Sequence, residues 1–332
     1  IVSRNQFVAH HVNLDIQADT PKLGKCLDAL FGGYFPLVPL ASSPPADAFS
    51  IVARTVATPA DLPTVDPAFT QTWQCTPEGG LEITGLGDGT RRILLLQGRA
   101  MMLYDLAART ATITAVDSTW GAVGFHCLVP FLSELLASKG QFLLHAAANR
   151  IPGTDDAALL FGHSGAGKTT TSLALGYGGM DVVCDDACFL SAGEGNFTLW
   201  PLPRESHVHI ETLDLLPQMK FLPKRDSHID GEFSIDHCHL PGCDPLKTRN
   251  ASAVILLEPR NPDGHNLKPL TAIEALPELL SRVLRVVEPL ASGPAGDMFR
   301  ALSQLASQRP CFSLSVGPDL NTLTPLLLDA LT

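Results

Sequence analysis

Apolar and polar positions fall into two regimes along the chain. Over roughly the first 115 residues the apolar runs are short and interrupted by proline, glycine and aspartate. The stretch FSIVARTV at 49–56 alternates enough for a strand. Residues 81–83, 92–96, 99–104 and 112–116 read as further short strands with Gly and Asp turns between them. Ser42-Ser43-Pro44-Pro45-Ala46-Asp47 is a loop. The pattern predicts an α+β or mainly β accessory domain over 1–115, and this half carries no chemical motif.

The period then changes. Val123, Cys127, Phe131 and Leu135 recur every four residues, predicting a helix over 120–138 that Lys139-Gly140 stops. A strand at 141–148, a turn at 150–156, a strand at 157–161, a glycine-rich loop, a helix at 168–176 and a strand at 180–184 follow. Strands alternating with helices argue for an α/β domain over 116–332. Residues 191–249 read as irregular. A strand at 253–257, helices at 272–287 and 295–308, a strand at 311–316 and a helix at 319–330 complete the pattern.

Composition narrows the partners. A length of 332 residues is a prior for about two domains, and 45% hydrophobic residues can bury a sizeable core. The 34 acids against 23 lysines and arginines give a net charge of −11, which disfavours non-specific binding to nucleic acid or an anionic membrane. A local basic pocket for one small anion remains compatible with that charge. The eight cysteines are scattered, several within apolar runs, and read as reduced thiols of a cytoplasmic protein. The opening Ile1-Val2-Ser3-Arg4-Asn5-Gln6 shows no signal-peptide core, and its lack of Met is expected of an N-terminus that is trimmed or unseen. No run of 18 uninterrupted apolar residues offers a membrane span.

The chemistry begins at Gly162-His163-Ser164-Gly165-Ala166-Gly167-Lys168-Thr169, which matches G-x-x-x-x-G-K-S/T in full. The apolar run 157–161 before it and the helix-compatible run after it supply the required context. Gly162, Gly165 and Gly167 let the backbone wrap tightly, so that amides of the loop, those of Ser164 and Ala166 included, can point at phosphate oxygens. The helix N-terminus adds partial positive charge. Lys168 is expected to reach the β- and γ-phosphates, the Thr169 hydroxyl to ligate Mg²⁺, and Thr170 to contact a phosphate. A nucleophile elbow, G-x-S-x-G, competes for the same residues, but its fifth position is Ala166 and it has no use for Gly167-Lys168-Thr169.

Asp185-Asp186 ends the apolar strand, one helix and one strand after Lys168. If the two strands are parallel neighbours, both ends reach one ligand-binding edge. One acid can hold Mg²⁺ while the other accepts a proton from an attacking hydroxyl. Asp186 is expected to be the base, with Asp185 beside Thr169 on the metal. His145, on the preceding strand, is a candidate near the transferred group, and Arg204 a candidate phosphate clamp. Lys224-Arg225 reads as a solvated loop. His237-Cys238-His239 with Cys243 and His228 does not have the spacing of a structural zinc site.

Leu144-His145-Ala146, then residues 162–169, then Cys184-Asp185-Asp186 resembles the bacterial HPr kinase/phosphorylase family, and more closely the HPr-kinase-related kinases that include lasso-peptide kinases. The resemblance covers about residues 140–210 closely and the tail to 332 only by pattern. It implies a P-loop core related to ATP-using phosphoenolpyruvate carboxykinase and transfer of phosphate from ATP to a serine hydroxyl. The acceptor it implies is a peptide or small protein, such as a precursor peptide, and the family implies self-association. It places Gly162, Gly165, Gly167, Lys168 and Thr169 on phosphates and metal, Asp186 or Asp185 as base, and His145 near the γ-phosphate. Position 163 is His where the family often has Asp. The second family signature, which supplies a metal-binding glutamate, is not clear; Glu205 and Glu211 are candidates for it. Phosphorolysis and HPr as substrate are therefore not carried over.

Overall fold

The structure is a computed structural model that describes residues 3–32, 37–38, 45–76, 81–163, 165–193, 195–202, 205–226, 231–244, 247–287 and 295–331. The chain forms two compact units, Ile1–Ser138 and Lys139–Thr332.

In the first unit, β1 (Ser3–Ala9), β2 (Val12–Ala18), helix α1 (Pro21–Gly32), β3 (Leu37–Val38), β4 (Phe49–Val56), β5 (Thr70–Cys75), β6 (Ile83–Gly87), β7 (Arg91–Leu96), β8 (Ala100–Asp105) and β9 (Thr110–Val116) precede a helical segment. The nine strands form one sheet in the order β3-β1-β2-β4-β9-β8-β7-β6-β5. Only β2–β4 and β4–β9 are parallel pairs. The helical segment comprises α2 (Trp120–Val123), a π-helical turn over Gly124–Leu128 and α3 (Val129–Ala137).

The unit boundary falls after 138 rather than near 115, because this segment packs on the first sheet. The Phe131 ring meets Phe49 and Tyr104 edge-on at centroid distances of 5.1 and 5.2 Å. Phe131 is fully buried, so Phe131→Ala should cost about 3–5 kcal/mol. Urea unfolding of the full chain, followed through the loss of this unit's β signal, checks that value.

The second unit contains β10 (Gln141–Leu144), β11 (Ala147–Arg150), β12 (Asp156–Phe161), α4 (Lys168–Tyr177), β13 (Asp181–Cys184), β14 (Cys188–Ala192), β15 (Phe197–Pro201), β16 (Ser206–His209), α5 (Thr212–Leu215), β17 (Arg225–Asp226), β18 (Glu232–Ile235), β19 (Arg249–Glu258), β20 (Asn266–Leu270), α6 (Ala272–Val287), α7 (Ala295–Gln308), β21 (Cys311–Ser315) and α8 (Leu323–Leu331). Strands β12, β19 and β21 run parallel. Strand β11 is antiparallel to both β12 and β13, so β13 runs in the direction of β12. The C-terminal ends of β12, β13 and β19 and the start of β11 therefore share one sheet edge. Beneath it, Ala147, Leu160, Leu173, Val182 and Ile255 belong to one buried cluster that joins α4 to the sheet.

Two expectations are corrected here. The single strand expected over 141–148 is two strands, because β10 pairs with β14 while β11 pairs with β12 and β13. The chain steps between these partners at His145-Ala146. Residues 191–249 are not irregular throughout: β14 extends to Ala192, β15 pairs with β14, and β16, β17 and β18 form a separate small sheet. These strands are only two to five residues long, too short for alternation to register. All eight cysteines are unpaired thiols. Among the described residues no single helix is long and apolar enough to cross a membrane.

Candidate functional site

The glycine turn leaves β12 at Gly162 and enters α4 at Lys168. Gly165 and Gly167 have φ of +76° and +86°, a left-handed conformation that disfavours any side chain. The Ala166 amide donates to the His163 carbonyl at 3.0 Å, and the Thr171 amide to the Gly167 carbonyl at 2.9 Å, which starts the helix. A Cβ on Gly162 would lie 2.9 Å from Ala166 Cβ and 3.3 Å from Leu257 Cβ, so the turn closes tightly against β19. Ser164 and Arg204 lie outside the described residues.

Lys168 folds back under the turn. Its Nζ donates to the Gly162 carbonyl at 2.8 Å, and only 9% of the residue is exposed. Burial lowers its pKa; Asp186 and Asp185 oppose that shift, and Arg282 adds to it. A buried ammonium below a turn of backbone amides is an arrangement that can receive an anion.

The two aspartates leave β13 with different surroundings. Asp185 is buried, and neither of its carboxylate oxygens has a hydrogen-bond partner of normal geometry. Its pKa is pushed up from 3.8 to about 7, first by burial and then by the charge of Asp186. The hydroxyls of Ser206 and Thr169 and the charge of Lys168 oppose the shift. Asp186 is more open, with 37% of its side chain exposed. His145 Nδ1 lies 3.2 Å from Asp186 Oδ1 and 3.1 Å from the Asp186 carbonyl oxygen.

The strands of Asp185 and of the glycine loop run in the same direction but are not neighbours. Instead β11 lies between them. Its first residues pair level with the ends of both neighbours, Ala147 with Leu160 and Ala148 with Cys184. That register brings His145, just before β11, beside Asp186. The intervening strand thus adds a third group to the edge rather than separating the other two.

Other expected residues stand as follows. Thr169 opens α4 near Asp185. Thr170 Oγ1 is 3.1 Å from Thr212 Oγ1 and ties α4 to α5. Glu205 forms an ion pair with Arg225, and Glu211 is exposed. Among the described residues no group of three or more His, Cys, Asp or Glu side chains is placed to hold a metal.

Sequence reading missed Ser206 and Arg282. Ser206, at the start of β16, is buried with its hydroxyl beside the Asp185 carboxylate. Arg282 lies on the buried face of α6 with Ala275, Leu279 and Val283. The sign available in the sequence was one arginine on the apolar stripe of a helix.

The buried Asp185 makes a stability prediction. Between its unfolded pKa of 3.8 and its folded pKa of about 7, the folded chain holds a proton that the unfolded chain releases. Stability therefore falls as pH rises through that window, and the penalty is complete above it. Asp185→Asn removes the penalty. We expect the ligand-free variant to be more stable than the parent by about 1–3 kcal/mol at pH 8, with the advantage gone near pH 4. Melting curves of the two proteins across that range check the sign; a pH-independent difference would exclude a raised Asp185 pKa.

No protein-family model and no curated protein matches the sequence. Among solved structures, the Hpr(Ser) kinase/phosphatase from Coxiella burnetii aligns with 56% of this chain and 91% of its own, at 14% identity and a TM-score of 0.27. A likeness at that score carries no argument about activity, so the reading of the site rests on its own geometry.

Proposed function

We propose that this chain is an HPr-kinase-like phosphotransferase that moves the terminal phosphate of ATP, in the presence of Mg²⁺, to a serine or threonine hydroxyl of a peptide or small protein. One observation carries the reading: a glycine turn, a buried lysine and two carboxylates of unlike exposure meet at one edge of a sheet.

The residues fit a hard divalent cation. Asp185 offers a buried carboxylate beside the Thr169 and Ser206 hydroxyls, and Mg²⁺ commonly takes one or two protein ligands and fills the rest of its shell with phosphate and water oxygens. When bound it would supply charge neutralisation between the phosphates. The chain's own residues do the remainder. The amides of the glycine turn and Lys168 hold the phosphates and offset the charge that spreads over the transferred group. Asp186, the more open acid, accepts the proton of the incoming hydroxyl, and His145 orients that carboxylate through its Nδ1 contact. Positioning and fixed charge account for most of the rate, since phosphoryl transfer asks little covalent chemistry of the protein.

The test incubates the full chain with ATP·Mg²⁺ and small peptides encoded beside its gene, with free serine as a second acceptor. Mass spectrometry showing one added phosphate on a peptide Ser or Thr, with ADP formed in equal amount, supports the proposal. Phosphorylation of free serine alone makes the protein a small-molecule kinase. Nucleotide binding without transfer to either acceptor makes it a nucleotide-dependent regulator.

A further inference from the structure

Beyond the residues assigned above, the site edge contains a cation with no role. Arg282 projects from the inner face of α6, and its side chain is 2% exposed. Its Nη2 alone is engaged, with Glu258 Oε1 at 2.9 Å and Glu278 Oε2 at 3.4 Å. Nε and Nη1 are buried with no partner among the described residues. An unpaired buried donor costs about 1–3 kcal/mol, more for a charged group, so two on one guanidinium call for an explanation.

The position of the pair supplies one. Glu258 ends β19 at the edge shared with the glycine turn. Side chains alternate along the strand, so Leu257, whose Cβ backs Gly162, faces the α4 side, while Glu258 turns to the other face and meets Arg282 of α6 at that same edge. Both Lys168 and Arg282 are buried, and the guanidinium charge adds to the lowering of the lysine pKa, so the two cations stand within electrostatic range of each other. Like charges in a dry interior repel, and that repulsion is relieved when an anion binds both. Arg249, at the opposite end of β19, also has an unpartnered Nε, but it lies at the edge away from the turn.

We infer that Arg282 is a second cationic residue of the nucleotide site, held by Glu258 and Glu278 so that its free donors engage a phosphate oxygen of the bound polyphosphate. This rests on the proposed phosphotransferase reading and adds to it the residue that completes the anion receptor. The planar fork matters as well as the charge, because a guanidinium gives two parallel donors where an ammonium gives a single point of contact. Glu258 and Glu278 are positioning residues: they occupy Nη2 and leave the other side of the fork free.

The test is titration calorimetry of the full chain with ATP·Mg²⁺, comparing parent, Arg282→Gln, Arg282→Lys and Lys168→Ala, with melting curves as the check on folding. The inference expects Arg282→Gln to weaken ATP binding about 10- to 100-fold, with Arg282→Lys recovering part of the loss. A folded Arg282→Gln that binds ATP like the parent overturns it and makes Arg282 a structural ion pair. If Arg282→Gln does not fold, Arg282→Lys decides: weakened binding supports the inference, and unchanged binding overturns it. If the parent itself binds no ATP and Lys168→Ala is no different, the phosphotransferase reading fails and the inference with it. Parent binding that is lost in Lys168→Ala but intact in Arg282→Gln removes the inference alone.

Discussion

Lys168→Ala is expected to lower phosphoryl transfer by a factor of about 10³ or more and to abolish the thermal stabilisation that ATP·Mg²⁺ gives the parent protein. The side chain is the buried positive charge under the glycine turn, and no neighbouring group on α4 can replace it. Its direct structural work is small: it donates to the Gly162 carbonyl at 2.8 Å and more distantly to His163. Truncation should therefore leave the ligand-free protein folded, with a change in stability of about 1 kcal/mol. A variant that melts like the parent yet no longer shifts with nucleotide is the expected result. Retained transfer would remove the turn from the site altogether.

Asp186→Asn should behave differently. The amide keeps the shape of the side chain and its neighbourhood with His145, but it cannot take a proton. Transfer should fall by about 10²- to 10⁴-fold, while ATP binding, measured by calorimetry, changes little. The comparison with Asp185→Asn separates the two acids. Loss of the buried carboxylate should weaken the Mg²⁺ dependence of nucleotide binding; loss of the open one should not. If Asp185→Asn lost transfer with nucleotide binding intact, and Asp186→Asn did not, the roles assigned to the two acids would be exchanged.

Much of the candidate site was legible because its signals are local. The turn from Gly162 to Thr169 depends on glycines that tolerate positive φ, followed by a helix, and both lie within a few residues of each other. The end of β13 was equally visible, since an apolar run that stops at two aspartates marks where a strand leaves the core. Most β-strands of the first unit between 49 and 116 were also readable, because their alternation is set by one face of a single large sheet. The first two strands and α1 were not, as their buried polar residues, such as Asp15 and Gln6, break the pattern. Asp15 is held by the Arg4 guanidinium at 2.6 Å, a pairing across a hairpin that no one-dimensional pattern contains.

Sequence alone determined which chemistry was on offer: a glycine turn ahead of a lysine and a helix, and a pair of acids closing a strand. These follow from backbone sterics and from burial, which act within one element. Only the tertiary structure decided which groups meet. It put β11 between β12 and β13, bringing His145 to Asp186; it buried Asp185 and left Asp186 open; and it buried Arg282, almost a hundred residues beyond that pair, against Glu258 at the end of β19. The physical reason is that strand order and register are settled by the packing of whole faces, whose partners lie far apart along the chain.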